Sequence, residues 1–485
     1  MHPKFGRVAF NGLLWSIAKN WGGRILALAV FTILARFLNP KEFGTAAAAS
    51  LILMFVGMIA EFGFGDAIVQ APSLALEDVN LPFYVAMSIS VVLSILVVFF
   101  ASALERWFGV QGARTLIMAM CGMAPIITAA MFQEAMYRRA LEFRKLAIRV
   151  FVANLVAGPI AIVCAWFGMG VWTLVVHAYL SAVIGILWLW HGALWTPGKV
   201  IHFKTFRSFG KFGFSITVVR LVEFISVRFL DVAIISKFGL AALGLYTIGS
   251  RVQKSLMQIL LSSINEVALP ILSKISDDLV RMREIYVQVT AFAAYLAMPL
   301  FFLAAALAHG IFTLLFGAKW TGVAEVAQPL LMLGGLQCVQ FLNSPYLTAR
   351  GRPDLVRHIA VIRAVAVTLS LVLIPFRTVP GLVVTFVVLQ VLFSPINFYL
   401  ATRELGISLV GTFTKLFPAF FACLLAYSSA ALARPRIDHI GLSAILVEPI
   451  LGLVFLICYL ACIRLTGWEQ LMASISFLLA RFRGR

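Results

Sequence analysis

Apolar runs of about 20 residues recur along the whole chain, and each is separated from the next by a short cluster of charge, glycine or proline. A continuous run of that length matches one α-helical crossing of a bilayer. A barrel strand would instead alternate apolar and polar positions over about ten residues, and no such alternation occurs. The runs predict helices near 12–36, 44–68, 81–104, 114–136, 147–168, 170–191, 212–237, 241–268, 285–309, 323–347, 356–376, 379–401, 415–433 and 441–463. The intervals between them are too short to form an extramembrane domain. The expected fold class is therefore an all-α polytopic membrane protein with about 14 transmembrane helices.

Three runs carry charge where contact with lipid is costly. Gly12–Arg36 contains Lys19 and Arg24. Lys211–Phe238 contains Arg220, Glu223, Arg228 and Asp231, and Ala241–Ala268 contains Arg251 and Lys254. A charge near the bilayer centre costs several kcal/mol, so such residues face a cavity or a partner. At about 100° per residue the four charges of the seventh run share one face and form two basic–acidic pairs at i, i+3. Arg251, Lys254, Ser255, Gln258, Ser262 and Asn265 fall on one stripe of the eighth run, and Ser16, Asn20, Gly23, Arg24 and Ala27 on one stripe of the first. A rise of about 1.5 Å per residue puts Arg24, Arg220 and Arg251 roughly 13–18 Å deep. The pairs Arg220–Glu223 and Arg228–Asp231 suit a structural role as well as a functional one, and Lys19 and Arg228 also suit snorkelling to an interface. Arg24, Arg251 and Lys254 have no acid within one turn of their own helix and are expected to face a cavity. There a planar guanidinium suits phosphate, because its fork binds two oxygens at once.

A transporter also needs an energy input, which directs attention to the acids. Glu61, Asp66, Glu223, Asp231 and Glu325 are candidate proton or cation sites, although a solvated helix end is the simpler account of Asp66. His177 is expected to be a satisfied interior histidine. Pro125, Pro159, Pro299, Pro329 and Pro345 are the expected kinks. The six cysteines all lie inside apolar runs and read as inert thiols, with no ligand partners at metal spacing. No glycine-rich phosphate loop occurs, and no external loop is long enough for group-transfer chemistry, so the chain is not expected to be an enzyme and no cofactor or metal is implied.

Composition agrees with the pattern: 485 residues, 62% hydrophobic, 12% charged, with mean hydropathy +1.00. The net charge of +19 would suggest nucleic acid in a soluble protein. Here the basic residues sit between apolar runs, which points to topology and anionic lipid instead. With the N-terminus inside, 24 of the 39 lysines and arginines face the cytoplasm and 9 the other side, so both termini are expected in the cytoplasm. The first run is too long and too charged for a cleavable leader and reads as a retained helix.

A weak internal repeat accompanies the helices. A shift of 200 aligns Phe37–Gly44 with Lys237–Gly244, and Asp66 with Glu266; a shift of 213 aligns Phe143-Arg144-Lys145 with Val356-Arg357-His358. Each repeat holds six helices. The even number predicts two six-helix lobes related by a pseudo-twofold along the membrane normal, plus two C-terminal helices. The expected organisation is an N-terminal lobe at 1–194, a cytoplasmic interfacial linker at 195–211, a C-terminal lobe at 212–404, helices 13 and 14 at 405–465, and a cytoplasmic amphipathic tail at 466–485.

The stretch from Ala35 to Gly44, followed by Glu61-Phe62-Gly63-Phe64-Gly65-Asp66-Ala67-Ile68-Val69-Gln70, resembles the first two helices of Wzx-type polysaccharide flippases. Tyr137–Ala147 resembles their basic loop after helix four, and Phe206–Gly213 the start of their second lobe. The likeness covers most of helices one to eight. It implies the multidrug/oligosaccharidyl-lipid/polysaccharide exporter fold. It also implies a cargo of undecaprenyl-diphosphate-linked oligosaccharide, flipped across a bacterial inner membrane by alternating access, for exopolysaccharide, capsule or O-antigen synthesis. A proton or sodium ion, membrane lipid and a polysaccharide polymerase complex are the other expected partners. The substrate-binding candidates are Asn20, Arg24, Arg220, Arg251, Lys254 and Gln258. Glu61, Glu223, Arg228 and Asp231 are candidates for ion coupling or gating. The isoprenoid tail is expected along helices 13 and 14. The alternatives are a peptidoglycan-precursor flippase or a multidrug exporter of the same superfamily, and an arginine-rich cleft disfavours the export of cations.

Overall fold

In a computed structural model of the protein, Asn39-Pro40-Lys41-Glu42 is a helix start of the capping-box kind. Glu42 N–H donates to Asn39 Oδ1 at 2.9 Å, Asn39 N–H donates to Glu42 Oε2 at 2.8 Å, and Pro40 occupies the first turn, where no N–H is needed. The structure describes residues 23, 25–109, 112–274, 278–350, 352–439, 444–473 and 476, and among these no strand occurs. The helices of the first half are α1 (Ile25–Phe37), α2 (Pro40–Glu61), α3 (Phe64–Gln70), α4 (Asn80–Phe108), α5 (Ala113–Cys121), α6 (Ala124–Arg139), α7 (Phe143–Trp166), α8 (Trp172–His191) and α9 (Phe203–Lys274). Those of the second half are α10 (Leu279–Phe292), α11 (Met298–Ala306), α12 (Ala308–Phe316), α13 (Val323–Gln340), α14 (Asn343–Ala349), α15 (Pro353–Leu373), α16 (Val379–Leu392), α17 (Ser394–Leu405), α18 (Leu409–Asp438) and α19 (Ala444–Thr466).

Eleven helical stretches among the described residues are long and apolar enough to cross a membrane, against the fourteen expected. The difference has three sources. The first helix is described only in part, as the short α1. The seventh and eighth run together as α9, bent at Gly239, whose φ of 78° favours glycine. The tenth, α13, is diluted by Glu325, Gln328, Gln337 and Gln340. Of the expected kinks, Pro125 and Pro299 open new helices after breaks, while Pro159 and Pro329 lie inside α7 and α13.

The chain divides into two compact units, with the boundary after Thr247 in α9. In the N-terminal unit, Phe64, Phe83, Phe132, Trp195 and Phe209 form a buried aromatic cluster. Asn80 straps the segment after α8 to the start of α4. Its Oδ1 accepts from Trp195 Nε1 and from Gly198 N–H, both at 3.0 Å, and its Nδ2 donates to the Val200 carbonyl at 2.9 Å. Arg139, in the basic Tyr137–Ala147 stretch, donates from Nη1 to the carbonyls of Ile68 and Ala71 at 2.8 and 2.6 Å and so caps the end of α3. Two close backbone approaches depend on glycine. A Cβ on Gly44 would strike the carbonyl of Leu240, and one on Gly244 would strike the carbonyl of Pro40. The 200-residue shift makes Pro40 equivalent to Leu240 and Gly44 to Gly244, so equivalent residues touch crosswise. Such reciprocity is the mark of a local twofold axis.

In the C-terminal unit, α18 turns a stripe of small residues, Ala419, Ala422, Ala426 and Ala430, into a core that also holds Tyr295, Phe302, Phe455 and Tyr459. A π-helical turn at Ala293–Ala297 precedes Pro299, and the Tyr295 carbonyl there accepts from Tyr459 Oη at 2.7 Å. Arg434 and Glu448 pair through two bonds, Nη1 to Oε1 at 2.9 Å and Nη2 to Oε2 at 3.0 Å. Arg434 Nη2 also reaches the Ala306 carbonyl at 3.2 Å, which fixes α18 and α19 to the end of α11.

Candidate functional site

A cavity of about 910 Å³, mostly apolar in surface but carrying a set of charged side chains, opens inside the N-terminal unit. Its wall is built from the later half of α2, from α6, from the first half of α7, from α8 and from α9. Apolar positions of the same helices, such as Leu53, Met131 and Val227, also line it, but its chemistry is set by charge. Arg138, Arg149, Arg220 and Arg228 meet Glu61, Glu134 and Glu223 there, together with Asn154, His177 and Ser181.

Arg220 is the central group. Its Nη1 lies 2.7 Å from Glu61 Oε2 and its Nη2 2.7 Å from Asp66 Oδ2, so one guanidinium spans two carboxylates on either side of a helix break. That break has a local cause. Phe62 and Gly63 both adopt left-handed conformations, at φ 48° and 66°, which ends α2 and lets α3 restart at an angle. Gly213 then passes against the Phe62 carbonyl, where a side chain would collide, and the start of α9 is brought to the two acids. All three side chains are partly exposed, at 32% for Arg220, 20% for Glu61 and 29% for Asp66.

A second cluster lies on α6 and α7. Glu134 accepts from Arg138 one turn on and also from Arg149, at 3.0 Å, across to α7. The stem of Arg149 runs beside Gly185 of α8, which leaves it room. Arg228 pairs with Asp231 at 3.1 Å and lies 3.5 Å from Met54 Sδ.

The geometry sorts the expected residues. Arg228–Asp231 forms as an i, i+3 pair. Arg220 does not bond to Glu223; it turns to Glu61 and Asp66 on other helices, and Glu223 lines the cavity as an exposed carboxylate. Asp66 is therefore not merely a solvated helix end but half of a bridge. Arg251, Lys254 and Gln258 lie in the C-terminal unit, exposed on the later part of α9. Lys19, Asn20 and Arg24 lie outside the described residues, as do the side chains of Ser262 and Asn265. Glu134, Arg138 and Arg149 were not expected at a site. Their signal in the sequence was the i, i+4 spacing of Glu134 and Arg138 near the end of an apolar run, which also fits an ordinary helix terminus.

The arrangement suits binding more than bond-making. Arg138, Arg149, Arg220 and Arg228 each have a carboxylate beside them, so the lining is close to charge balance rather than strongly cationic. A diphosphate would enter by exchange, taking guanidinium donors now held by carboxylates.

Comparison with known proteins places this architecture. A family described as "Polysaccharide biosynthesis protein" matches residues 33–325, more than half of the chain. The succinoglycan biosynthesis transport protein ExoT of Rhizobium meliloti (strain 1021) is 27% identical over 356 residues, which is 73% of this chain and 72% of that protein. The lipopolysaccharide biosynthesis protein WzxC of Escherichia coli (strain K12) is 21% identical over 336 residues, 68% of each chain. Among solved structures, the lipid II flippase MurJ in an inward closed conformation superposes with a TM-score of 0.70 at 14% identity, over 93% of this chain and 99% of that one. A likeness at that identity shows the fold, which is the all-α, two-lobed transporter architecture.

Proposed function

The chain belongs to this family of polysaccharide biosynthesis proteins, and on that premise we propose that it is a flippase for isoprenoid-diphosphate-linked oligosaccharide repeat units. It is a transporter and not an enzyme. The observation that carries the reading is the cavity itself: a space of about 910 Å³ whose wall carries arginine–carboxylate clusters, within helices otherwise fit for lipid. A sugar diphosphate does not cross hydrocarbon unaided, because its charges and hydroxyls lose their hydration there. A cavity that supplies hydrogen bonds within the helix bundle lowers that barrier.

In the proposed cycle the headgroup enters from the cytoplasmic side of a bacterial inner membrane, with both chain termini in the cytoplasm. Arg220 and Arg149 take the diphosphate, joined by Arg24, Arg251 and Lys254 from the first and eighth helices, while Asn20 and Gln258 bind sugar. The lobes at 1–194 and 212–404 then rock about the linker at 195–211 to expose the load outward. Arg220 is held by Glu61 and Asp66 until the substrate arrives. A proton or sodium ion on those carboxylates loosens that hold, so cation and diphosphate assist each other's binding by the same factor. Glu223 and the Arg228–Asp231 pair gate the cavity beside them. An undecaprenyl carrier and a polymerase complex that receives the repeat unit complete the proposal. The likeness to the lipid II flippase is one of fold at 14% identity and does not carry that substrate here.

Deletion of the gene in its host tests the reading. Surface polymer should be lost, with complete lipid-linked repeat units trapped in the cytoplasmic leaflet. Intact polymer together with new sensitivity to cationic drugs would reject it in favour of a multidrug exporter.

A further inference from the structure

The N-terminal unit has a second opening, an apolar groove of about 490 Å³ walled by α2, α4 and α9. Phe55, Leu96, Phe100 and Trp107 are typical of its lining, and among the described residues the Arg228 guanidinium is the one charged group in it. Arg228 and Phe224 line both this groove and the larger cavity. The two openings therefore adjoin along the seam where α9 meets α2. Phe224 rests on Phe55 there, with ring centroids 5.8 Å apart, and Arg228 lies against Met54.

We propose that this groove holds the isoprenoid chain of the substrate, with Arg228 meeting the diphosphate where groove and cavity adjoin, Arg220 and Arg149 holding it from the cavity side, and the oligosaccharide in the rest of the cavity. The inference rests on the flippase reading and gives it a geometry. The substrate is a hydrocarbon joined through a diphosphate to a sugar, and the structure offers the same three surroundings in the same order: an apolar groove, a guanidinium and a cavity carrying charged side chains. The apolar part gains by staying among apolar side chains, at about 25 cal/mol per Å² kept from water. A guanidinium has five donors, more than the single bond to Asp231 takes up, so it can hold two phosphate oxygens without leaving that acid. An ordinary phospholipid has no oligosaccharide to fill the cavity. The placement also differs from the expectation that the tail runs along helices 13 and 14, here α18 and α19.

The test uses the full chain in nanodiscs of phosphatidylethanolamine and phosphatidylglycerol. The probe is a polyprenyl diphosphate with a diazirine in its first isoprene units, and adducts are mapped by mass spectrometry. Adducts should fall on α2 and α4 along the groove and be competed by undecaprenyl diphosphate but not by undecaprenol. Arg228→Gln should lower the labelling about tenfold, the loss of a charge-assisted bond. Leu96→Trp, which fills the groove, should lower it too while leaving the unfolding temperature unchanged. Adducts confined to α18 and α19, equal competition by phosphatidylglycerol, or labelling indifferent to Arg228→Gln would each overturn the proposal. Export in the deletion strain, restored by the same wild-type chain, separates the two failures. Restored polymer with adducts elsewhere removes the groove alone, and unrestored polymer removes the flippase reading.

Discussion

Arginine meets glutamate in both units, but the two meetings differ in kind. In the C-terminal unit Arg434 and Glu448 satisfy each other through two parallel bonds and are 20% and 9% exposed, and Arg434 also donates to the Ala306 carbonyl. In the N-terminal unit Arg220 divides its guanidinium between Glu61 and Asp66, and Glu134 divides its carboxylate between Arg138 and Arg149. These groups border an open cavity. A closed, largely buried pair has fewer donors to spare and little access for an anion, so it resists exchange. A shared pair beside water can give up one partner when an anion arrives. Residue type does not separate a staple from a binding site; the remaining hydrogen-bonding capacity and access do.

The comparison can be broken first at the staple. Arg434→Ala leaves Glu448 enclosed without its counter-charge and should cost about 3 kcal/mol, read as a lower unfolding temperature in detergent. Arg434→Met with Glu448→Leu together should recover most of the loss, since two apolar groups need no partner. Neither change should reduce export per folded molecule.

Arg220→Gln should do the reverse. Its partly exposed acids remain solvated, so unfolding should shift little, while affinity for a diphosphate-linked sugar falls by about 2 kcal/mol, or about thirtyfold, in an equilibrium binding assay. A large stability loss without an affinity loss would make Arg220 a second staple and erase the distinction.

Gly244→Ala probes the scaffold beneath the cavity. The new methyl meets the Pro40 carbonyl, and α2 and α9 must part, at about 1.5 kcal/mol by thermal unfolding. Gly44→Ala should give a similar value, because the contact is reciprocal. The smallest effect belongs to Arg138→Ala. That side chain is 51% exposed and one turn from Glu134, so its pair is worth about 0.3 kcal/mol, and the Glu134–Arg149 bridge should survive in binding measurements.

Much of the fold was legible because membrane helices announce themselves locally. Hydrocarbon must be met by apolar side chains, and a crossing has a fixed length, so runs of about 20 residues mark spans without knowledge of neighbours. The start of α2 is also set locally, by Asn39 and Pro40, but the apolar run placed it at 44 because the capping residues are polar. The pair Arg228–Asp231, three residues apart on one helix, was local as well. The site was less legible. Glu134 and Arg149 sit at the end of one run and the start of the next, where charge is ordinary and needs no explanation. Glu223 looked like the natural partner of Arg220 by spacing, yet two acids on either side of the break between α2 and α3 took its place.

Sequence alone thus determined that the chain is helical and membrane-embedded, and that charge is buried somewhere within it, because each follows from period, length and the cost of desolvation. Tertiary structure decided which charges meet. Helical periodicity fixes the face a residue shares with its own helix. It says nothing of the rotation and depth at which two helices pack, and a shift of one residue turns a face by about 100° and moves it about 1.5 Å. The helix break at Phe62 and Gly63, and the passage of Gly213 across it, set that geometry for Arg220 and its two carboxylates.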